Sequence, residues 1–406
     1  MIGAGVIGAS IARELAAAGV GVIMMDQAPG PGGGCSYANA SIVAPAHVGP
    51  LATPALIREA PLQMLRQPPA VRLKPTPDLV PWLGRLLASS APQRSKLAQQ
   101  RLRELAETST ELHVELAARG LNPSLRKTGA IEVDTRRPRR GEVGLLDAQQ
   151  VQEIQPGLTG VQAGNHELEE WVVEPRSYTR AMLDDAVRCG ADVRFDTNVH
   201  GLLVNDHGVT GVQTSAGKIY ADRVILAAGL HSRALANGVG LSLPVRGGRG
   251  YVIDLEAAPG LLTMPVRLKH QRIVITPLAD RIRVCGSIEF GNEARPRQLG
   301  HADDLLAAAA RVLPALKTMP VIDRWSGERP CLPDGIPAIG QSRLHPRLYV
   351  ATGHGMWGLT LAPITAHLAG RSIVQRLSEP AHEWLSPDRF THAKDHGSQQ
   401  KNYARL

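Results

Sequence analysis

Three glycines near the start of the chain carry the first chemical signal. In "GAGVIG", Gly3, Gly5 and Gly8 stand in G-x-G-x-x-G spacing. The first glycine permits a tight turn, the second lets the backbone approach a pyrophosphate, and the third lets a helix pack closely on a strand. Asp26 comes 18 residues after Gly8 and ends the apolar run "VGVIMMD". A carboxylate at that distance grips a ribose hydroxyl. A second glycine turn, "ATGHGMWGLT", sets Gly353, Gly355 and Gly358 around His354 and ahead of Thr360. Turns of this kind present backbone amides to a cofactor. Arg329, in "SGERPCLPDG", offers the planar fork that suits a carboxylate. His47, beside Pro45 in the loop after Asp26, is placed by sequence where it could reach the same site. No Ser/His/Asp arrangement or metal spacing stands out. Cys35, Cys189, Cys285 and Cys331 are far apart without a paired His, which points to reduced thiols rather than zinc or disulfides.

These residues need elements to hold them. "ASIARELAAAGV" reads as an amphipathic helix with Ile11, Leu15 and Ala18 on one side, ended by Gly19. Its first amides would face the phosphates. "VGVIMMD" reads as a buried strand. Only Met1 and Ile2 precede Gly3, whereas strands commonly run about 5 residues. The expectation is therefore a truncated first strand, with the natural start lying upstream.

Further along, the stretch after Asp26 is a Gly-, Pro- and Ala-rich loop containing Ser36 and Asn39. Residues 55 to 120 show three- and four-residue apolar spacing and read as helical. "KTGAIEVD" alternates like a strand, and "LDAQQVQEIQPGL" reads as a short helix. "RVILAAG" is a buried strand ending at Gly229. From 245 to 290 the period is two and helices disappear. A helix at "ADDLLAAAARVLPAL", a strand at "LYVATG" and a helix at "TLAPITAHLAGRSIVQRL" follow. After about residue 380 the chain reads as a loose polar tail.

A chain of 406 residues, 43% of them hydrophobic, suffices for two packed units. There is no run of 18 or more apolar residues, so no membrane-spanning helix is expected. No signal-peptide pattern is visible at the start, and a cytoplasmic location is expected. The net charge is +8 and aromatics make up 3%. So few aromatics argue against a base-stacking surface, and no nucleic-acid partner is expected. The dense cluster Arg136, Arg137, Arg139 and Arg140 reads as a solvated loop. Peripheral contact with anionic lipid on the inner membrane face is compatible with the basic balance.

Taken in order, "GAGVIG", "SYANA", "PLATP", "VILAAG", "LPVRGGRGY", "RPCLPDGIPAIG" and "GHGMWGLT" resemble the FAD-dependent D-amino-acid oxidase superfamily. Within it the likeness is nearest to bacterial D-amino-acid dehydrogenases of the small-subunit type. The resemblance implies an α/β (α+β two-domain) fold of the glutathione-reductase/D-amino-acid-oxidase type. Residues 1–50, 140–232 and 325–380 would form a Rossmann-like FAD-binding domain. Residues 51–139 and 233–324 would form an antiparallel-sheet substrate domain, leaving 381–406 as a tail.

The resemblance also implies site roles. Gly3, Gly5 and Gly8 would face the FAD pyrophosphate, and Asp26 the adenosine ribose. Ser36, Asn39 and Ala40 would run beside the phosphates and the isoalloxazine edge. The backbone of Val199 would meet adenine, and Gly229 would approach the cofactor. The segment from Gly353 through His354, Gly355 and Gly358 to Thr360 would lie at the flavin pyrimidine end. Arg329 would hold the substrate carboxylate, with Arg249 and Tyr251 bordering the pocket.

Two positions depart from the family pattern: Ser41 stands where glycine is usual, and Gln27 where arginine is usual. Gly327 stands where some relatives anchor flavin through cysteine, so non-covalent FAD is expected. The implied reaction is hydride transfer from an amine-bearing carbon to flavin N5, giving an imino acid. Its donor would be a D-amino acid, a cyclic secondary amine or an N-methyl amino acid. Its electron acceptor would be a quinone, an electron-transfer protein or oxygen. A glycine/sarcosine-type oxidase and a non-catalytic flavoprotein subunit remain alternatives.

Overall fold

In the computed structural model, residues 1–65, 68–137, 145–291, 298–377 and 380–391 are described. One layer is built on short parallel strands. Asp192–Arg194 pairs with Ile23–Met25, and Val224–Leu226 pairs with Leu348–Thr352. Ile2 bridges both inner neighbours, Met25 and Leu226. The Ile2 amide donates to Ile225 and the Gly3 amide to Met25, while the Ile2 carbonyl accepts from Ala227. The central slot expected to lack its strand is thus occupied by residues 1–3. Each flanking strand is three residues long.

The glycine loop runs straight into the helix Val6–Ala17. This helix packs against Pro175–Arg188 and Gly358–Ile373. Ile11, Ala12 and Leu15 share one buried core with Tyr178, Met182 and Leu361. Gly8 matters here: a Cβ on it would overlap the Gly3 carbonyl, so helix and turn meet only through a bare Cα.

The second layer is a nine-stranded sheet. Its order runs from Val321–Cys331 through Arg246–Glu256, Arg281–Phe290, Ile273–Pro277 and Val266–Leu268 to Ala130–Asp134, Ala163–Glu167 and Leu146–Asp147; Val71–Leu73 pairs with the end of Arg281–Phe290. Period-two alternation sends Tyr251, Ile253, Leu255, Ile282 and Val284 into a core roofed by the helix Gly300–Ala309. The opposite face carries Val252 and Cys285 under Ala38, Tyr37 and Ala40. The loop after Asp26 therefore lies on the large sheet, joining the two layers.

Several sequence boundaries move. Val71–Leu73 is a strand inside the stretch read as helical. Ala163–Glu167, placed by sequence with the dinucleotide unit, hydrogen-bonds to Ala130–Asp134 in the large sheet. The helix Pro92–Ala118, placed by sequence with the substrate unit, packs on Gly358–Ile373. Part of the expected loose tail is ordered into short turns at Pro380–Leu385 and Pro387–Phe390. Leu385 is buried, and the Arg389 guanidinium donates to Asp334. Residues 392–406, and Arg139 and Arg140 of the basic cluster, lie outside the described residues. No described helix is long and apolar enough to cross a membrane.

Candidate cofactor and substrate site

A cleft of about 820 Å³ opens along the carboxyl ends of the short parallel strands. This edge is where an open α/β sheet binds ligands. Gly3, Gly5, Asp26, Ser36, Val199, Gly229 and Arg249 all line it. Gly5 caps the first helix, and a Cβ there would meet only the Ser36 hydroxyl. Gly229 has a φ of +53° and nothing within 4 Å of a would-be Cβ. Both positions thus present bare backbone to open space. Gly3, at φ +100°, lies under the turn, where a Cβ would press on the Ala227 carbonyl.

Asp26 holds the turn as well as facing the cleft. One carboxylate oxygen accepts from the Ala4 amide at 2.6 Å and the other from Ala28 at 2.8 Å. Each keeps a lone pair for a ligand hydroxyl. Ser36 Oγ accepts from the Val6 amide at 2.9 Å, so its own proton points elsewhere. Gln27 reaches His231 at 3.2 Å, and both residues line the cleft. The donor set fits a dinucleotide: helix amides for pyrophosphate, a carboxylate for ribose, and bare backbone where a Cβ would intrude.

Not every expected residue reaches this cleft. Asn39 and Ala40 sit just beyond Ser36 as anchors. Asn39 Oδ1 accepts from the Ser41 amide, and the Ala40 carbonyl accepts from Thr276 Oγ1. Gly353, His354 and Gly355 border a much smaller hollow with Leu51, Cys331 and Trp357. The two glycine turns still meet, through one strand end. Pro330 lines the cleft, its carbonyl accepts from Gly355, and Cys331 bridges His354. Gly358 opens the helix Gly358–Ile373, and a Cβ on it would come within van der Waals reach of Val6. The His354 ring is buried and bonded to Thr365 Oγ1 at 3.0 Å. Burial lowers its pKa to about 3, so the ring stays neutral. Thr360 is buried, and its carbonyl accepts from Ser109.

The arginines divide by face. Arg329 pairs in register with Gly248 and lays its guanidinium over Gly250, where any Cβ would overlap it. Nη1 donates to the Ser287 carbonyl at 3.1 Å. Arg329 itself does not line the cleft: its guanidinium lies near the Cys35 and Cys285 thiols, under the loop that walls it. Arg249 is 4% exposed and held by Glu328 at 2.7 Å. Tyr251 is fully buried, does not line the cleft, and donates to Glu289 at 2.6 Å. Burial and that carboxylate raise its phenol pKa.

Several residues that sequence reading passed over also line the cleft. Gly33, Gly34 and Cys35 come from the glycine-rich run after Asp26, and Trp325, Ser326 and Glu328 from the strand leading to Arg329. Burial holds the Cys35 thiol above its ordinary pKa despite nearby Arg329. His47 does not line the cleft. It sits 3.3 Å from Glu170 and 3.8 Å from Glu167, and the donor atoms of the three lie within 4.8 Å of one another. Arg267 is already against Glu170 and supplies the positive charge a metal would bring. Ser41 has a φ of +59°. That left-handed conformation suits glycine, the residue the resemblance leads one to expect there.

The family profile described as FAD dependent oxidoreductase (DAO) matches residues 1–371. A D-amino acid dehydrogenase of Rhodopseudomonas palustris is 30% identical over 395 residues, covering 91% of this chain and 92% of that protein. One of Methylobacterium nodulans is 30% identical over 420 residues, covering 97% and 99%. Among solved structures, glycine oxidase from Bacillus cereus superposes with a TM-score of 0.74 at 22% identity, covering 95% and 96% of the two chains. The chain belongs to the FAD-dependent oxidoreductase family.

Proposed function

We propose that this family member oxidises the C–N bond of a D-amino acid, using non-covalently held FAD. The observation that carries the reading is the single cleft where the Gly3–Gly5 turn, Asp26, Gly229 and the strand end at Pro330 converge, one residue from Arg329. The 30% identity to D-amino acid dehydrogenases over nearly the whole chain supports the substrate class.

In this reading, FAD when bound supplies the hydride acceptor, and the protein supplies binding and orientation. Gly5 and the first-turn amides after Val6, whose own amide is held by Ser36, would take the pyrophosphate, Asp26 the ribose, and Val199 would border the adenine end. The Gly353–Thr360 turn supports the flavin end from behind Pro330–Cys331. Arg329 holds the substrate α-carboxylate by a two-pronged, charge-assisted pair. Holding that group sets the α-hydrogen toward the acceptor and excludes the opposite orientation. Arg249 closes the cleft wall while Glu328 fixes its fork. Tyr251 supports the wall from the buried face through Glu289. Gly327 offers no nucleophile and Cys35 stays a thiol, so attachment is non-covalent. The residues are apportioned to an FAD-binding unit around the short parallel strands and a substrate unit around the large sheet.

The test is an anaerobic panel of D-, L- and N-methyl amino acids read at the flavin absorption band. Bleaching by D-amino acids is expected, with flavin released by acid precipitation. A coloured protein that no amine bleaches would sink the reading. Peroxide formation in air separates oxygen from a quinone or an electron-transfer protein as acceptor.

A further inference from the structure

We infer that Arg283 is a positioning residue of the cofactor site, acting through Ser41 and Asn39. This rests on the proposed use of the cleft for FAD. Arg283 lies at the centre of the large sheet and is fully buried. Nε and Nη2 form a two-pronged pair with Asp254 at 2.8 and 2.7 Å. That pairing leaves Nη1 directed at the loop above, where it donates to Ser41 Oγ at 3.2 Å and to the Asn39 carbonyl at 3.3 Å.

The loop it touches is the one that walls the cleft. At its near end, Ser36 lines the cleft and accepts from the first helical amide. At its far end, Ser41 is buried in a left-handed conformation that is strained for a non-glycine residue. A serine persists there only if its surroundings hold it. The Ser41 carbonyl accepts from Val173 and its hydroxyl from Arg283. Glycine would satisfy the backbone but would leave Nη1 with one acceptor fewer.

The pair is tied to the other layer as well. Arg281 sits 3.0 Å from Asp254 and donates to Glu174 at 2.7 Å. Glu174 in turn caps the helix Pro175–Arg188 through Ser177, and that helix packs on the glycine-loop helix. A buried chain of charges therefore fixes loop 36–41 relative to the helix whose amides face the cleft. A guanidinium suits this task because it can grip Asp254 with two nitrogens and still donate with the third.

The test compares wild type with Arg283→Gln, Arg283→Lys and Ser41→Ala. Its readouts are the FAD dissociation constant, the fine structure of the visible flavin band, and Tm with and without FAD. Arg283→Gln is expected to weaken FAD binding at least tenfold, blur the band and shrink the Tm gain on adding FAD. Arg283→Lys should recover part of each, and Ser41→Ala should lose about threefold in affinity. A folded Arg283→Gln protein with wild-type affinity and band overturns the inference, even if Tm falls equally with and without FAD. If Arg283→Gln does not fold, Ser41→Ala decides: unchanged affinity and band overturn it. Wild type that takes up no FAD refutes the functional reading instead. Wild type that loads normally beside unaltered variants refutes only the role of Arg283.

Discussion

The two glycine turns carry similar sequence signals and do different things. At the first, Gly5 and the neighbouring Gly229 face open cleft, and the nearest groups are polar. At the second, a Cβ on Gly353 would overlap Leu332, and one on Gly355 would touch Cys331 Sγ at 3.8 Å. His354 between them is turned inward to Thr365. Glycine spacing reports that the backbone must come close to something. In the first turn that something is a ligand space; in the second it is mostly the protein's own strand end. The second turn contributes by placing Pro330 and Cys331, and through them the strand that bears Arg329.

This contrast sets a ranking of effects. Gly3→Ala should be the most damaging change, because it combines a φ of +100° with a Cβ 2.5 Å from the Ala227 carbonyl oxygen. A cost of about 3 kcal/mol or more is expected, and denaturant unfolding with FAD titration should show both stability and binding lost. A protein that still loads FAD normally would mean the turn is not built as described. Arg329→Leu comes next. A charge-assisted pair contributes about 1.5–3 kcal/mol, so KM for amino acids should rise roughly 10- to 100-fold while FAD affinity holds. Equal loss of both would move Arg329 from substrate holding to scaffold.

The inward histidine gives a third, smaller effect. Burial depresses His354 to about 3 and His113 to about 4. Their neutral forms are the folded ones, so stability is fully present above the unfolded value near 6.5. It declines as pH falls from there toward the folded values, because the unfolded chain takes up the protons first. Tm should drop between pH 7.5 and 5, and His354→Gln should flatten part of that slope; an unchanged slope would show that His354 does not drive it. Gly358→Ala should matter least. Its Cβ would meet His354 Cβ at 3.7 Å and Val6 at 4.0 Å, both ordinary contacts. A Tm change within about 2 °C is expected, and a large loss would show that the second turn also faces a ligand.

Local signals were the legible ones. The first helix, the strand before Asp26 and the period-two block at 245–290 follow from spacing within a few residues; the helix forms as Val6–Ala17, leaving Ala18 exposed, and the strand as Ile23–Met25 alone. Pairing between distant segments was not legible. Nothing in "AGNHE" says that it will join Ala130–Asp134 rather than the parallel layer, because register is set by partners far along the chain. Val71–Leu73 hid inside a helical spacing for the same reason; its partner is Ile288–Phe290. In the site, glycines and Asp26 were readable because their conformational needs are peculiar to them. Trp325 and Glu328 were not, since a strand that twists past a cleft exposes residues by geometry alone. Ser41 was visible as a departure, but its reason, the buried fork of Arg283, lies 242 positions away.

The placement of the four thiols has a practical consequence. Cys35 borders the cleft, Cys189 is exposed, and Cys285 and Cys331 are buried. An alkylating reagent applied to the native protein therefore meets one sulfur whose access depends on cleft occupancy and one whose access does not. The ratio of their modification, read by peptide mass, is an internal gauge of how much of a preparation carries its prosthetic group, with no dependence on colour or turnover.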